Sequence, residues 1–323
     1  MRDRPPFWVS LSASAIRRLP FGRYQTANAL RRFAGAPFLA SLPGDLGGFR
    51  FICDLHDTIS REVCFTGRYE PQETQLVQRL LRPGMVVVDV GANWGYFTLV
   101  CAHLVGPSGR VIALEPHPRL ASMLSANIAA DVVLSDVVDA YRVAAGARSE
   151  SKAFVGFDER DGNWGVSRAA LGTEVPDFES RTVALDLFLD ALFPDAPFLN
   201  DAFVADCRRS RVDLVKIDIE GAEADAIRGM AGGIERHRYR YVLLECHPAE
   251  LARLGTTVEQ CLAPFRRAGY RGWHIDHSAG MHRRAARRAV PTAELLAPID
   301  DRTLAADEWP HLLWTAPGEA MPA

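Results

Sequence analysis

The run Met85-Val-Val-Val-Asp89-Val90, closed by Gly91, constrains the fold of this chain more than any other stretch. Apolar and rich in β-branched residues, it reads as a strand buried on both faces, and such strands belong to parallel sheets covered by helices. The pattern recurs. Strands are expected at Arg110 to Leu114, Ala140 to Ala144, Val212 to Ile219 and Tyr239 to Cys246, with short ones at Gly272 to Ile275 and His311 to Thr315. Helices are expected at Tyr96 to Val105, Arg119 to Ala129, Ala222 to Met230 and Val258 to Ala268. Such alternation of strand and helix is what a doubly wound α/β sheet requires.

The remaining segments are read as additions to that core. Residues 1–66 form an N-terminal extension, loosely specified and partly disordered up to about Gly48, with one helix near Tyr24 to Phe33 and a hairpin within Phe49 to Phe65. The main domain is expected over 67–317, opening on a helix from Pro71 to Leu81, and 318–323 form a tail. Residues 145–211 exceed the ~10–12 residues of a simple crossover, so this insertion is expected to hold extra structure and to cover the active site.

Composition narrows the functional classes. Among 323 residues, 37 Lys and Arg against 40 Asp and Glu leave a formal net charge of −3, so no global basic field favours nucleic acid. The basic run Arg283, Arg284, Arg287 and Arg288 reads as a solvated face. Six scattered cysteines without a Cys-x-x-Cys pair argue against a disulfide framework and against zinc, and fit a reducing, cytoplasmic setting. The apolar run from Phe7 is too short for a secretory signal, and no apolar stretch reaches the ~20 residues of a spanning helix. No metal ligand is expected: His274, Asp276 and His277 have ligand residue types but no definite spacing, and read as a solvent-exposed loop. A homo-oligomer is compatible with the sequence.

At the end of the first core strand, Asp89-Val90-Gly91-Ala92-Asn93-Trp94-Gly95-Tyr96-Phe97-Thr98 places an acidic residue, two glycines four apart and a helix start in succession. Glycine admits close approach of backbone amides to a ligand, and the helix N-terminus offers free N–H groups. Glu115, just past the next strand, can accept hydrogen bonds from both hydroxyls of a ribose. Together these features point to a nucleoside-bearing cofactor; a glycine turn without a ligand is the plainer alternative. Glycine is absent at 93 and 98, which disfavours a nicotinamide or flavin dinucleotide. Asp89 would oppose a pyrophosphate but can help hold the amino group of an amino-acid cofactor.

A series of ordered blocks then resembles the FkbM family of methyltransferases over Gly67 to Pro317. The blocks are Tyr69-Glu70-Pro71, Asp89 to Thr98, Gly109 to Pro116, Ala126-Asn127, Leu185-Asp186, Lys216-Ile-Asp218-Ile-Glu220-Gly-Ala-Glu223 and Leu243-Leu-Glu245-Cys-His247-Pro248. The resemblance implies a Rossmann-like class I methyltransferase: a mostly parallel seven-stranded sheet with an antiparallel final strand and helices on both faces. It implies S-adenosylmethionine as donor and O-methylation of a hydroxyl on a sugar, glycolipid or natural product. The cofactor-binding residues it marks are Glu70, Asp89, Gly91, Ala92, Asn93, Gly95, Tyr96, Phe97, Thr98, Glu115, Pro116 and Asp218. Trp94 stands where the family more often has a smaller aliphatic residue. Gly162-Asn-Trp-Gly-Val-Ser167 resembles a family block that lies over the active site.

A second constellation follows the fourth core strand. A period of two puts Lys216, Asp218 and Glu220 on one side, at the carboxyl end where open sheets bind ligands. Asp218 is expected to face donor and acceptor, with Lys216 and Glu220 paired or positioning the acceptor; a structural salt-bridge network is the alternative. Glu223 reads as a helix-dipole partner. His247, ending the neighbouring strand with Glu245, is the expected general base, against the alternative of a strand-end histidine bonded to backbone. The acceptor is thus expected to be a small molecule or glycan. A nucleic-acid base methyltransferase is a competing reading, weakened by the acidic balance, and a non-catalytic cofactor-binding module is another.

Overall fold

The computed structural model describes residues 1–19, 22–158, 160, 162–192, 211–300, 304 and 307–321. Its strands in chain order are β1 (Phe38–Ser41), β2 (Arg50–Cys53), β3 (Val86–Val90), β4 (Arg110–Leu114), β5 (Val138–Tyr141), β6 (Ala144–Ala145) and β7 (Glu150–Val155). They continue as β8 (Arg168–Ala169), β9 (Phe178–Val183), β10 (Val212–Ile217), β11 (Tyr239–Glu245), β12 (Arg271–Ile275), β13 (Leu296–Pro298) and β14 (His311–Thr315).

The main sheet has eight strands in the order β13-β12-β14-β11-β10-β3-β4-β5. From β5 through β4, β3 and β10 to β11 every pairing is parallel. The pairings β11 with β14, β14 with β12 and β12 with β13 are antiparallel. The expected seven strands are therefore eight in a mixed sheet. The addition, β13, has three residues and ends on Pro298, which cannot donate a ladder hydrogen bond and so suits an edge.

Alternation along the strands divides the core into two layers. Val87, Val111, Leu214 and Leu243 are buried on one face of the sheet, and Val88, Ile112, Val215 and Val242 on the other. Strand order reverses between β3 and β10, so the crevice outside their carboxyl ends is a topological switch point, where open α/β sheets take ligands.

The N-terminal extension is more ordered than expected. Helices occupy Phe7–Arg18 and Arg23–Ala29, followed by a 3₁₀ turn at Leu30–Phe33. Val9, Ala13 and Ile16, at helical spacing, are buried in the first of the two core layers. Ser10, Ser12 and Ser14 dilute this narrow stripe and hide its period. The expected hairpin within Phe49 to Phe65 is also corrected. β2 pairs antiparallel with β1, upstream, and Thr58–Thr66 is a helix whose N-cap, Asp57, accepts a hydrogen bond from Ser60 N at 2.7 Å.

The third core strand lies at Val138–Tyr141, and Ala144–Ala145 belongs to a separate four-stranded sheet of order β6-β9-β7-β8. That sheet and the helix Leu185–Leu192 are the extra structure of the insertion; its residues 193–210 lie outside the described ones. Cys53, Cys64, Cys101, Cys246 and Cys261 are buried free thiols, and Cys207 lies outside the described residues. Among the described residues no helix is long and apolar enough to cross a membrane.

Candidate active site

The turn after β3 is built by close approach of two segments of the chain. Gly91 has φ +85°, and a Cβ there would come within 1.9 Å of the Asp218 carbonyl oxygen, so only glycine fits. Asp218 N donates to Val90 O at 3.1 Å, which locks the end of β10 against this turn. Glu115, past the end of β4, is buried, and its two oxygens accept the backbone N–H groups of Asn93 and His117, each at 2.8 Å. Burial pushes the Glu115 carboxyl up to about 7 against the pull of those two N–H groups.

A cavity of about 530 Å³ opens at this switch point. Of the expected cofactor residues, Gly91, Asn93, Glu115, Pro116 and Asp218 line it. Glu70, Asp89, Ala92, Gly95, Tyr96, Phe97 and Thr98 are not in its wall; they form the layer behind it. In that layer Thr98 Oγ1 donates to Asp89 Oδ2 at 2.6 Å, while Asp89 Oδ1 is buried without a partner. Burial raises the Asp89 carboxyl above its ordinary range, with the Lys216 charge opposing the shift.

On the opposite side stands a ring of charges. Lys216 Nζ lies 2.9 Å from Asp218 Oδ2 and 4.8 Å from the centre of the Phe97 ring. Despite its burial, Lys216 is held above its ordinary pKa by Asp218, Glu70 and Asp89. The expected partner, Glu220, is elsewhere: β10 ends at Ile217 and Glu220 has φ +50°, so the period of two does not carry that far. Its Oε2 instead lies 3.5 Å from His247 Nε2.

His247 is surrounded by carboxylates. Nδ1 meets Glu223 Oε1 at 2.6 Å, and Nε2 lies 3.4 Å from Glu245 Oε1. Burial pulls the imidazole down, but the hydrogen bonds to Glu223 and Glu245 outweigh it and push it up to about 12. Both ring nitrogens of His247, the expected general base, thus face carboxylates that favour its charged form. Glu223 is fully buried and accepts from Gly221 N at 2.9 Å as well, so it orients His247 and is more than a helix-dipole partner. Burial is the largest influence on Glu220 too; together with Asp218 it outweighs the His247 charge and leaves the carboxyl near 7.

The insertion contributes to the cavity wall. Asn163, Gly165, Val166 and Ser167 line the cavity, and Trp164 beside them is buried. Trp164 stacks between Trp94, 5.7 Å between centroids, and Phe157, at 5.6 Å. Trp164 N donates to Asp57 Oδ1 at 3.2 Å, and Gly162 O accepts from Thr58 N at 2.7 Å, so the N-terminal extension anchors this loop. Trp94 is thus not a wall of the cavity but the base of an aromatic stack joining cofactor turn to insertion.

Residue types alone did not single out Tyr69, which lines the cavity edge-on to Tyr96 and Phe97. His274 and His277 are not in a free loop, as expected from spacing. His274 lies in β12 with Nε2 2.8 Å from Asp307, and His277 is hydrogen-bonded to Glu73.

The family model "Methyltransferase FkbM domain" matches residues 89–271, which span both sides of this cavity. The chain belongs to the FkbM methyltransferase family. Its cofactor is S-adenosylmethionine, and the residues present fit that donor. The unpartnered buried Asp89 Oδ1 behind the turn and the Asp218 carboxylate in the cavity wall suit a ligand carrying sulfonium and ammonium charges. Among curated proteins, the chain is 45% identical over 56 residues to Protein-L-isoaspartate O-methyltransferase 1 of Arabidopsis thaliana, covering 17% of this chain and 24% of that protein. It is 27% identical over 146 residues to Methyltransferase 1 of Beauveria bassiana, covering 45% and 57%. The chain thus spans about a quarter of the first relative's length and just over half of the second's. A solved structure of Methyltransferase FkbM from Methylobacillus flagellatus is similar at 15% identity and a TM-score of 0.38, covering 90% of this chain and 57% of that one.

Proposed function

We propose that this FkbM-family chain is an O-methyltransferase that transfers a methyl group from S-adenosylmethionine to a hydroxyl of a sugar, glycolipid or natural product. The observation that carries the reading is one cavity with Gly91, Asn93 and Glu115 on one side and Glu220, held near 7, on the other. When bound, the donor supplies an electrophilic sulfonium methyl. Gly91 and Asn93 line the end of the cavity that takes its amino-acid part, and Glu115 keeps free lone pairs for ribose hydroxyls beyond its two backbone bonds. Removing Glu115 by Glu115→Ala should weaken S-adenosylhomocysteine binding by about 1–3 kcal/mol, the worth of charge-assisted hydrogen bonds. An unchanged dissociation constant in calorimetry would remove it from the ribose site.

Proton handling on the acceptor side falls to Glu220. A carboxylate with a pKa near 7 is matched to accepting a hydroxyl proton at neutral pH, whereas His247 already carries one. His247 instead orients Glu220 and stabilises its charge across 3.5 Å, and Lys216 fixes Asp218. The acceptor class is tested by incubating the protein with methyl-labelled donor and extracts of cells lacking the gene. Mass spectrometry should find a methyl increment in base-stable ethers of glycans or secondary metabolites. Label appearing only in RNA or in protein carboxyl esters would contradict the hydroxyl reading.

A further inference from the structure

Behind Glu245, outside the cavity wall, three side chains from separate parts of the chain converge. Glu73 lies in the first turn of the helix Pro71–Leu80, His277 just after β12, and His311 opens β14. His277 Nε2 is hydrogen-bonded to Glu73 Oε1, and His311 Nδ1 lies 2.9 Å from the same oxygen. The two imidazoles stack with centroids 3.5 Å apart, and one potential ligand atom from each residue falls within 4.8 Å of the others. Glu73 is 1% exposed, and its second oxygen, Oε2, is buried without a hydrogen-bond partner.

We propose that Glu73, His277 and His311 form a binding site for a zinc-class divalent metal ion. Two imidazole nitrogens that converge on one oxygen of a buried carboxylate make a donor set that suits zinc, with three protein ligands leaving a coordination position open. The unpartnered Glu73 Oε2 supports this, since a buried carboxylate oxygen with nothing to accept from is costly unless a cation takes it up. A second support is the environment of His311. Its other nitrogen, Nε2, faces Glu245 Oε1 at 3.6 Å, the carboxylate–histidine arrangement that leaves Nδ1 as the ligand atom. His311 and Glu245 are register partners on β14 and β11, so the sheet itself sets this pairing.

A second group, Asp218, Glu245 and His247, also brings ligand atoms within 4.8 Å. That group lines the cavity described above and belongs to the site already assigned. The proposed ion would instead sit one residue behind the cavity. It would clamp the helix Pro71–Leu80 to β14 and, through His311 and Glu245, hold His247 in place.

The test is a zinc(II) titration of untagged, chelator-stripped full-length protein in competition with a chromophoric chelator, with cobalt(II) visible absorption as a second probe. Zinc affinity is read directly, so the outcome does not depend on methyl transfer. The wild type should bind one zinc per chain. His277→Ala, at a partly exposed position where folding should survive, and Glu73→Gln should each weaken binding at least about a hundredfold, and Glu245→Gln by about 10–100-fold. His247→Ala should leave zinc affinity unchanged. Wild-type binding no tighter than that of His277→Ala would make the cluster an ion-pair network held by protons alone and would overturn the proposal. So would zinc binding that survives His277→Ala and is lost in His247→Ala.

Discussion

Glu220→Gln should lower turnover by about 10²–10⁴-fold, the usual worth of a positioned general base, with S-adenosylhomocysteine affinity nearly unchanged. Wild-type turnover should also rise as pH is raised through about 7. Glu220 has a raised pKa, so below that value it is protonated and cannot accept the hydroxyl proton, and above it the active carboxylate dominates. No alkaline limb is expected from His247, which keeps its proton up to about 12. His247→Ala separates the two assignments. Removing a cation 3.5 Å from Glu220 makes ionisation harder, so the acid limb should move to higher pH while turnover at high pH largely survives. Collapse of turnover at every pH in His247→Ala, with Glu220→Gln active, would return the base to histidine.

The second large effect is expected at Gly91. Gly91→Ala places a Cβ 1.9 Å from the Asp218 carbonyl at φ +85°, so left-handed strain and overpacking add. Together they should destabilise the protein by about 2–5 kcal/mol and abolish S-adenosylhomocysteine binding. Gly172 is the control. Its φ is +56°, but a Cβ there meets nothing within 4 Å, so Gly172→Ala should show only the conformational strain of about 1–2 kcal/mol. Urea unfolding of both variants checks this, and equal losses would mean that Asp218 does not press on the turn as described.

What the sequence made legible follows from burial. β3, β4 and the helix Tyr96–Val105 are legible within a residue of their bounds because nearly every side chain is buried and the runs are almost wholly apolar. The same holds for the end of β4, where Glu115 could be placed by position alone. The helix Phe7–Arg18 was missed because it buries only Val9, Ala13 and Ile16 on a serine-rich surface. The site was read less fully than the fold, for a different reason. Strand period places side chains only while the strand lasts, and it stops at Ile217, which is why Glu220 turned out beside His247 and not Lys216. The pairs Glu223–His247 and Glu73–His311 join residues far apart in the chain, and one sequence carries no local signal for such contacts. Glu73, in the first turn of a helix opened by Pro71, reads locally as an ordinary dipole partner.

Calorimetric titration of cofactor-free protein with S-adenosylhomocysteine, and in parallel with NAD, tests most directly that this cavity holds a methyl donor. Asp89 behind the turn and a turn without the dinucleotide glycines at 93 and 98 favour an amino-acid-bearing nucleoside over a pyrophosphate. Saturable binding of S-adenosylhomocysteine to a single site, with no heat from NAD, is the expected result. Tight binding of NAD with no response to S-adenosylhomocysteine would contradict it.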